Sequence, residues 1–355
     1  MPQKNGWTSP ATETDMLATL MLPAGIDPTS PQRTPTVRVR SADDLRNALR
    51  RGREQSVRLD GSEMDRVLQM DEKRGLIELQ AATPWVELVK YLGSRRIAID
   101  AFARMPVAPV TVGEAVAQSA AGPDGLPVSA HVAALALFTP DGELRRADRA
   151  AYGELFRLAL GGQGVIGVMY SVTLSIDSLR NSAAAAAVPV ELRIEAGIVL
   201  PAPECVMECL LPPESLDAYL KDVRQLAEDR RIVLHAITVR RYLPEAESSL
   251  RWASREWAGV EVRFGTKNTL GACVTSAEVR RALLAAALQR GGSFPIRDLR
   301  DATRPQLESC YPMIGAFIAN KRRGDPAERL QNGWYRALVA TMRSEACAVR
   351  WAKTG

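Results

Sequence analysis

The spacing of hydrophobic and polar residues predicts alternating strands and helices along the first half of the chain. Helices are predicted at 41–50 and 83–92, where a serine or threonine precedes apolar residues that share one helical face. Residues 111–119 predict a turn that leads into a short helix. The predicted strands cover 37–40, 57–59, 75–80 and 131–138, a hairpin turn follows at 140–142 with its return strand at 143–145, and 64–70 fits either structure.

A glycine-rich stretch, Leu-Gly-Gly-Gln-Gly-Val-Ile-Gly at 160–167, separates a helical pattern at 154–159 from an alternating strand pattern at 169–176. Glycines permit positive φ and a close approach of the backbone to another group. The stretch is therefore either a ligand-binding loop with exposed N–H groups or an ordinary tight turn. A Rossmann loop is excluded, because such a loop runs from a strand into a helix.

The second half of the chain repeats the strand and helix patterns on a larger scale. Alanine-rich residues 181–187 predict a break, and we place a domain boundary there. Strands are predicted at 204–210, 233–239 and 260–264, and helices at 212–227, 275–290 and 334–343, with a break at Pro312 inside a helical segment at 307–319. This order predicts an α+β domain with an antiparallel sheet.

Composition narrows the function classes. The chain has 355 residues, of which 46% are hydrophobic, which is enough for two domains with cores of their own. The net charge of +5 is spread over short basic clusters, and aromatic residues make up 5%, so a nucleic-acid surface is not expected. The partner we expect is a small-molecule substrate, together with a homo- or hetero-oligomeric contact.

Metal and membrane functions also find no support in the sequence. The five cysteines have no metal-binding spacing and the two histidines, His131 and His235, are expected to be ordinary sheet residues, so no metal site is predicted. No apolar run reaches the ~18 residues of a membrane span, and the start of the chain does not resemble a signal peptide. We therefore expect a cytoplasmic protein.

An ordered set of motifs resembles the PCMH-type FAD-binding domain of the vanillyl-alcohol oxidase family. The set comprises Thr-Val-Gly at 111–113, Asp-Gly-Glu at 141–143, Glu-Leu-Phe at 154–156 and the glycine stretch up to Val168. The C-terminal half is similar to sugar and alditol oxidases, and most similar to decaprenylphosphoryl-ribose oxidases, at Gly291-Gly292, Tyr311-Pro312, Lys321-Arg322 and Asp325-Pro326.

The resemblance implies three regions: an N-terminal arm at 1–35, an FAD-binding domain at 36–178, and a substrate domain at 188–345 whose C-terminal segment returns to the flavin. It implies an oxidoreductase that transfers a hydride from an alcohol or another small carbinol to FAD. Tyr311, Lys321 and Arg297 are the catalytic candidates that it suggests. The cofactor-binding candidates are Gly61, Ser62, Thr111, Val112, Gly113, Gly122, Gly164, Gly167, Val168, Lys321 and Arg322.

The sequence departs from the family pattern where the diphosphate of FAD is expected. The loop at 60–62 is short, and Asp60, Glu63 and Glu114 bring negative charge to it. The lysine of related active sites falls on Asp298, and its neighbour Arg297 is expected on a strand that directs it elsewhere. These departures predict non-covalent and weakened FAD binding. The alternative is a relative that has lost FAD and serves as a non-redox enzyme or a non-catalytic partner.

Overall fold

A computed structural model describes residues 19–20, 35–52, 57–104, 111–186, 191–196, 204–265 and 270–351. The α-helices are α1 Ala42–Arg51, α2 Trp85–Gly93, α3 Val112–Gln118, α4 Gly153–Ala159, α5 Ile176–Ala185, α6 Leu216–Arg230, α7 Leu270–Gln289, α8 Arg304–Cys310, α9 Ile314–Gly324 and α10 Gly333–Trp351. The strands are β1 Thr19–Leu20, β2 Thr36–Arg38, β3 Val57–Asp60, β4 Val67–Asp71, β5 Leu76–Gln80, β6 Val132–Phe138, β7 Leu144–Asp148, β8 Val168–Ser175, β9 Glu191–Ala196, β10 Glu204–Leu211, β11 Val233–Tyr242, β12 Trp257–Gly265 and β13 Leu330–Gln331.

Two sheets form the first domain. Five antiparallel strands in the order β4-β5-β8-β6-β7 carry the larger sheet, and its apolar face packs against α2 and α3. The smaller sheet has the order β13-β1-β3-β2, and its β2–β3 pair is parallel. Leu45 and Leu49 of α1 are buried against β3 in a separate core, which lies between this helix and the smaller sheet.

The second domain is an antiparallel sheet in the order β10-β12-β11-β9, with α6 and α7 on one face. Cys209, Val260 and Ile237 point toward these helices and are fully buried. The chain then passes through α8 and α9 and returns to the first domain, where Leu330 of β13 pairs with Leu20 of β1. Antiparallel sheets with helices on their faces confirm the predicted α+β class.

The structure also corrects parts of the sequence-based prediction. Residues 181–185 are helical instead of forming a break, because α5 continues to Ala185 through the alanines, which are the strongest helix formers. The stretch at 64–70 contains β4. Thr19 and Leu20 lie in the predicted irregular arm but form β1, while arm residues 1–18 and 21–34 and the predicted extended segment at 105–109 lie outside the described residues. Arg297 lies in a 3-10 helix, Ile296–Asp301, instead of a strand. Among the described residues, none of the helices combines the length and apolar character needed to cross a membrane.

Candidate functional site

A cleft of about 300 Å³ opens between the two sheets of the first domain. Its walls come from the ends of β2 and β3, the start of α3, the glycine stretch and the start of β8. Most of the lining is apolar, which suits a flat aromatic ligand. The lining residues are Val39, Leu45, Leu59, Asp60, Gly61, Ser62, Met64, Ala81, Ala82, Thr111, Gly113, Glu114, Ala117, Gln163, Gly164, Gly167, Val168 and Met169.

Seven of the predicted cofactor-binding residues therefore meet in one cleft, although they come from three separate parts of the sequence. They are Gly61, Ser62, Thr111, Gly113, Gly164, Gly167 and Val168. Val112 and Gly122 do not belong to this lining. Val112 is buried in the core beneath α3, and Gly122 lies in a tight turn in which its N–H donates to Leu126 O at 2.6 Å.

The glycine stretch 161–164, which we call the glycine loop, takes a left-handed backbone conformation at Gly161, Gln163 and Gly164, with φ values of 67°, 54° and 72°. The N–H groups of Gly161 and Gln163 donate to Val116 O and Ala117 O at 3.0 and 2.8 Å. A Cβ added to Gly164 would meet no described atom within 4 Å. The loop is thus fastened to the C-terminal end of α3, and Gly164 leaves open space on the cleft side.

Hydrogen bonds engage every polar group of Gln163 except one side-chain atom. Its side chain is 1% exposed, its carbonyl oxygen accepts from Asn332 Nδ2 at 2.7 Å, and its Nε2 donates to Gly161 O at 3.4 Å. Its buried Oε1 has no hydrogen-bond partner among the described residues. Sequence reasoning missed this residue, because a glutamine between glycines is typical of any polar loop.

In the loop after β3, the N–H of Ser62 is engaged within the protein, and the carboxylates are balanced by arginines. Ser62 N–H donates to Asp60 Oδ1 at 3.1 Å, and hydrogen bonds from Ser62 hold the pKa of Asp60 below its usual value. Arg38 lies 3.6 Å from Asp60 and 3.3 Å from Glu63, and Arg40 lies 2.5 Å from Glu63. Two arginines therefore offset the two carboxylates whose repulsion the sequence suggested.

The start of α3 uses its own backbone donors internally. Thr111 N–H donates to Glu114 Oε2 at 3.2 Å, while Glu114 N–H donates to Thr111 Oγ1 at 3.3 Å, which is a capping box. The N–H groups of Val112 and Gly113 donate to Thr83 O and Ala81 O at 2.9 and 2.7 Å. This segment shapes the wall of the cleft and offers it few backbone donors.

The predicted catalytic residues Tyr311 and Arg297 lie in the second domain. Tyr311 is buried, its hydroxyl donates to Phe294 O, and burial raises its pKa well above the usual value. Arg297 forms an ion pair with Glu208, which is 3% exposed, and Glu208 also accepts a 2.5 Å hydrogen bond from the Tyr242 hydroxyl.

The Arg297–Glu208 pair belongs to a charged face of the second-domain sheet, opposite α6 and α7. Arg240 and Glu261 form a buried ion pair at 3.0 Å on this face, and Arg263 contacts Glu261 at 2.7 Å. Buried charges are costly and cluster at functional sites. Sequence reasoning missed Glu208 and Glu261, although a carboxylate inside the apolar run at 205–211 was a usable signal for Glu208.

Lys321 and Arg322 are not part of the cleft lining. Lys321 is 2% exposed and donates to Asp325, which also accepts the N–H of Leu330, and burial lowers the pKa of Lys321. Arg322 is half-exposed and contacts Glu328 Oε1 at 3.1 Å. The structure thus separates both side chains from the seven residues that meet in the cleft and places them at the return of the chain toward β13.

A seam of hydrogen bonds joins the charged face to the cleft. Trp252 packs edge-on against Tyr242, and its indole N–H donates 2.8 Å to Ser119 O, directly after α3. Leu243 N–H donates to Gly125 O, and Ser249 N–H donates to Arg157 O. Both candidate regions are therefore anchored to the same end of α3, next to the glycine loop.

Comparison with known proteins agrees with this arrangement. Residues 36–148 match the family described as FAD binding domain, and this range contains the β3 loop and the start of α3. A solved structure of alkyldihydroxyacetonephosphate synthase is similar to this chain with a TM-score of 0.56 and 12% sequence identity, covering 84% of this chain and 77% of that one. No curated protein sequence matches. The PCMH-type fold suggested by the sequence is thereby confirmed.

Proposed function

We propose that this protein is a flavin-dependent oxidoreductase that oxidises an alcohol or another small carbinol, because residues 36–148 match the FAD binding domain family. One observation carries the proposal: the glycine loop, the β3 loop and the start of α3 converge on one cleft between the two sheets of the first domain. The comparisons favour this function over a relative that has lost its flavin.

The residues of the cleft fit an FAD molecule. Gly164 leaves room where any side chain would intrude, and the buried Gln163 Oε1 lacks a donor from the described residues. Apolar side chains, including Leu59 and Met64, would pack against the rings, and the β3 loop at 60–62 would lie beside the phosphates. When bound, FAD supplies the acceptor for a hydride from the carbinol carbon.

FAD is proposed to bind non-covalently and more weakly than is usual for the family. None of the described residues that line the cleft is a histidine or a cysteine, the side chains that would attach a flavin covalently. The N–H groups of Ser62, Thr111 and Gly113 are already engaged within the protein. Each missing charge-assisted hydrogen bond removes about 1.5–3 kcal/mol of binding free energy. Arg38 and Arg40 reduce the added repulsion.

The charged face of the second domain is proposed to meet the substrate. Arg297 and Glu208 are paired with each other and Glu208 also accepts from the Tyr242 hydroxyl, so it is the remaining N–H groups of the guanidinium and the remaining lone pairs of the carboxylate that would meet a hydroxyl group. A carboxylate on this face is suited to accept the hydroxyl proton as the hydride leaves. Tyr311 and Lys321 have their polar atoms engaged by Phe294 O and Asp325, so we propose that they position this region and the chain return.

The test begins with an absorbance spectrum of the purified protein between about 350 and 500 nm, followed by a titration of the protein with FAD. Under the proposal, FAD binds in a saturable manner and is reduced by a carbinol substrate under anaerobic conditions. If FAD stays bound at full occupancy through gel filtration, the prediction of weak binding is wrong, but the proposed function stands. No saturable FAD binding at millimolar concentration would refute the proposed function.

A further inference from the structure

A single buried atom, Gln163 Oε1, stands out among the polar atoms around the cleft. The other hydrogen-bonding groups of Gln163 are engaged: its N–H with Ala117 O, its carbonyl oxygen with Asn332, and its Nε2 with Gly161 O. Oε1 alone has no partner in the described part of the chain. A buried acceptor left without a donor is unfavourable, and native proteins retain few of them.

The backbone at Gln163 is also unfavourable for its residue type. Its φ of 54° lies in the left-handed region, which glycine adopts without steric cost but which strains a residue with a Cβ, such as glutamine. The neighbouring Gly162 and Gly164 show that this stretch uses glycine at adjacent positions. A strained non-glycine residue with an unpaired buried acceptor at the edge of a ligand cleft indicates a role in binding.

We propose that Gln163 Oε1 accepts a hydrogen bond from the imide N–H of the isoalloxazine ring, and that Gln163 is a cofactor-positioning residue. This inference rests on the proposed function. The glycine loop adjoins the second domain, since a Cβ added to Gly161 would lie 3.7 Å from Ser248 Cβ, and the Trp252 indole N–H donates to Ser119 O beside the loop. The ring system would exchange the hydride with a substrate held by the second domain, which assigns it to the Gln163 side of the cleft.

The acceptor is preorganised, because two other parts of the chain fix its backbone. Asn332 holds the Gln163 carbonyl oxygen and also accepts from Tyr335 N–H at 2.9 Å, so the C-terminal segment braces the glycine loop. Ala117 O, in α3, holds the N–H of the same residue. An acceptor fixed before the ligand arrives loses little conformational freedom on binding.

The experiment compares Gln163→Met, which keeps the length of the side chain and removes the acceptor, with Gln80→Met. Gln80 is a second buried glutamine, but its Oε1 accepts from Arg66 N–H at 3.1 Å and it does not line the described cleft. Dissociation constants for FAD and for ADP are measured by titration, and the melting temperature of each protein is measured without ligand.

Gln163→Met is expected to raise the dissociation constant for FAD by about tenfold. The dissociation constant for ADP and the melting temperature of the ligand-free protein should stay the same, because the substitution removes an unpaired acceptor and only the weak 3.4 Å hydrogen bond from Nε2 to Gly161 O. Gln80→Met is expected to lower the melting temperature and leave FAD binding unchanged.

Three results would overturn the assignment. One is equal FAD binding by Gln163→Met and the unsubstituted protein. Another is a fall in melting temperature with unchanged FAD affinity, which would show a purely structural role. The third is an equal loss of FAD and ADP affinity, which would place the acceptor beside the adenine half. If the unsubstituted protein binds no FAD, the proposed function itself has failed, and that outcome is distinct from the other three.

Discussion

Two glycines of the same loop allow the cleft to be tested without confusing binding with folding. Gly161 and Gly164 have nearly equal backbone conformations, with φ of 67° and 72°. They differ in what a new methyl group would meet. At Gly161 the added Cβ would lie 3.2 Å from Ser119 Cβ, whereas at Gly164 no described atom lies within 4 Å. We therefore compare Gly164→Ala with Gly161→Ala.

The cost in stability should be similar for the two substitutions. A left-handed conformation costs an L-residue roughly 1–2 kcal/mol, and the lower entropy of the unfolded alanine chain returns about 0.4–1 kcal/mol. Each variant should therefore lose about 1 kcal/mol in its free energy of unfolding. Gly161→Ala should lose slightly more, because its Cβ is close to Ser119.

The cost in FAD binding should differ sharply. The Gly164 Cβ would enter space that the cleft lining leaves open, and forcing an extra methyl group against a packed neighbour costs typically 1–3 kcal/mol. That range corresponds to a rise in the FAD dissociation constant of roughly 5-fold to 150-fold. The Gly161 Cβ would point to Ser119 and Ser248, so its effect on FAD should be less than about threefold.

Each variant is titrated with FAD, and binding is monitored by the quenching of flavin fluorescence. The stability of the ligand-free protein is measured separately by unfolding in urea. Equal losses of FAD affinity in both variants would show that the strain of the loop, and not its open side, controls binding. An unchanged dissociation constant in Gly164→Ala would show that the glycine loop is only a turn.

Three further predictions concern charge and protonation. Glu114→Gln keeps an acceptor for Thr111 N–H and removes one negative charge, so FAD should bind several-fold more tightly, and an unchanged dissociation constant in the titration would contradict this. Arg297→Met leaves the buried Glu208 without its guanidinium and should lower the free energy of unfolding, measured in urea, by about 3–5 kcal/mol. Arg263 is half-exposed, so Arg263→Met should lower it by less than about 1 kcal/mol, and equal losses would show that burial does not set the cost. Burial lowers the pKa of His131 in the folded protein, so on acidification the unfolded chain takes up this proton first and the free energy of unfolding should fall as the pH drops below about 6.5. His131→Asn should make the free energy of unfolding depend less steeply on pH, and an unchanged pH dependence would show that other groups cause it.

The sequence points most directly to positions where the backbone conformation restricts the residue type. Gly164 was predicted because glycines permit a left-handed turn, Gly61 was predicted from the resemblance to the family's diphosphate loop, and the structure brings both to one cleft. Gln163 was missed because its importance depends on which neighbours surround Oε1, and those neighbours come from α3 and the C-terminal segment.

Other features escaped prediction for similar physical reasons. The strand predicted at 260–264 alternates apolar residues with Glu261 and Arg263, and this alternation does not reveal that Glu261 is only 8% exposed. Period-two alternation separates two faces without showing whether the second is covered. The alanines before residue 187 lack a core-forming pattern and suggested a linker, yet their helix propensity extends α5. The burial of Lys321 beside Asp325 likewise depends on the tertiary fold, and no pattern in the sequence shows it.

The pairing of Leu330 with Leu20 has a consequence for how the molecule is made. The smaller sheet joins β1 and β13, which come from opposite ends of the described chain, and the same returning segment supplies Asn332 to the glycine loop. During synthesis the residues that line the cleft emerge from the ribosome early, and the returning segment with Asn332 emerges last, after the whole second domain. Contacts between such distant parts of a sequence form slowly, because a long loop must close first. The cofactor cleft is therefore one of the last features of the nascent protein to be completed, and FAD can meet its finished binding surface only after the second domain has been synthesised.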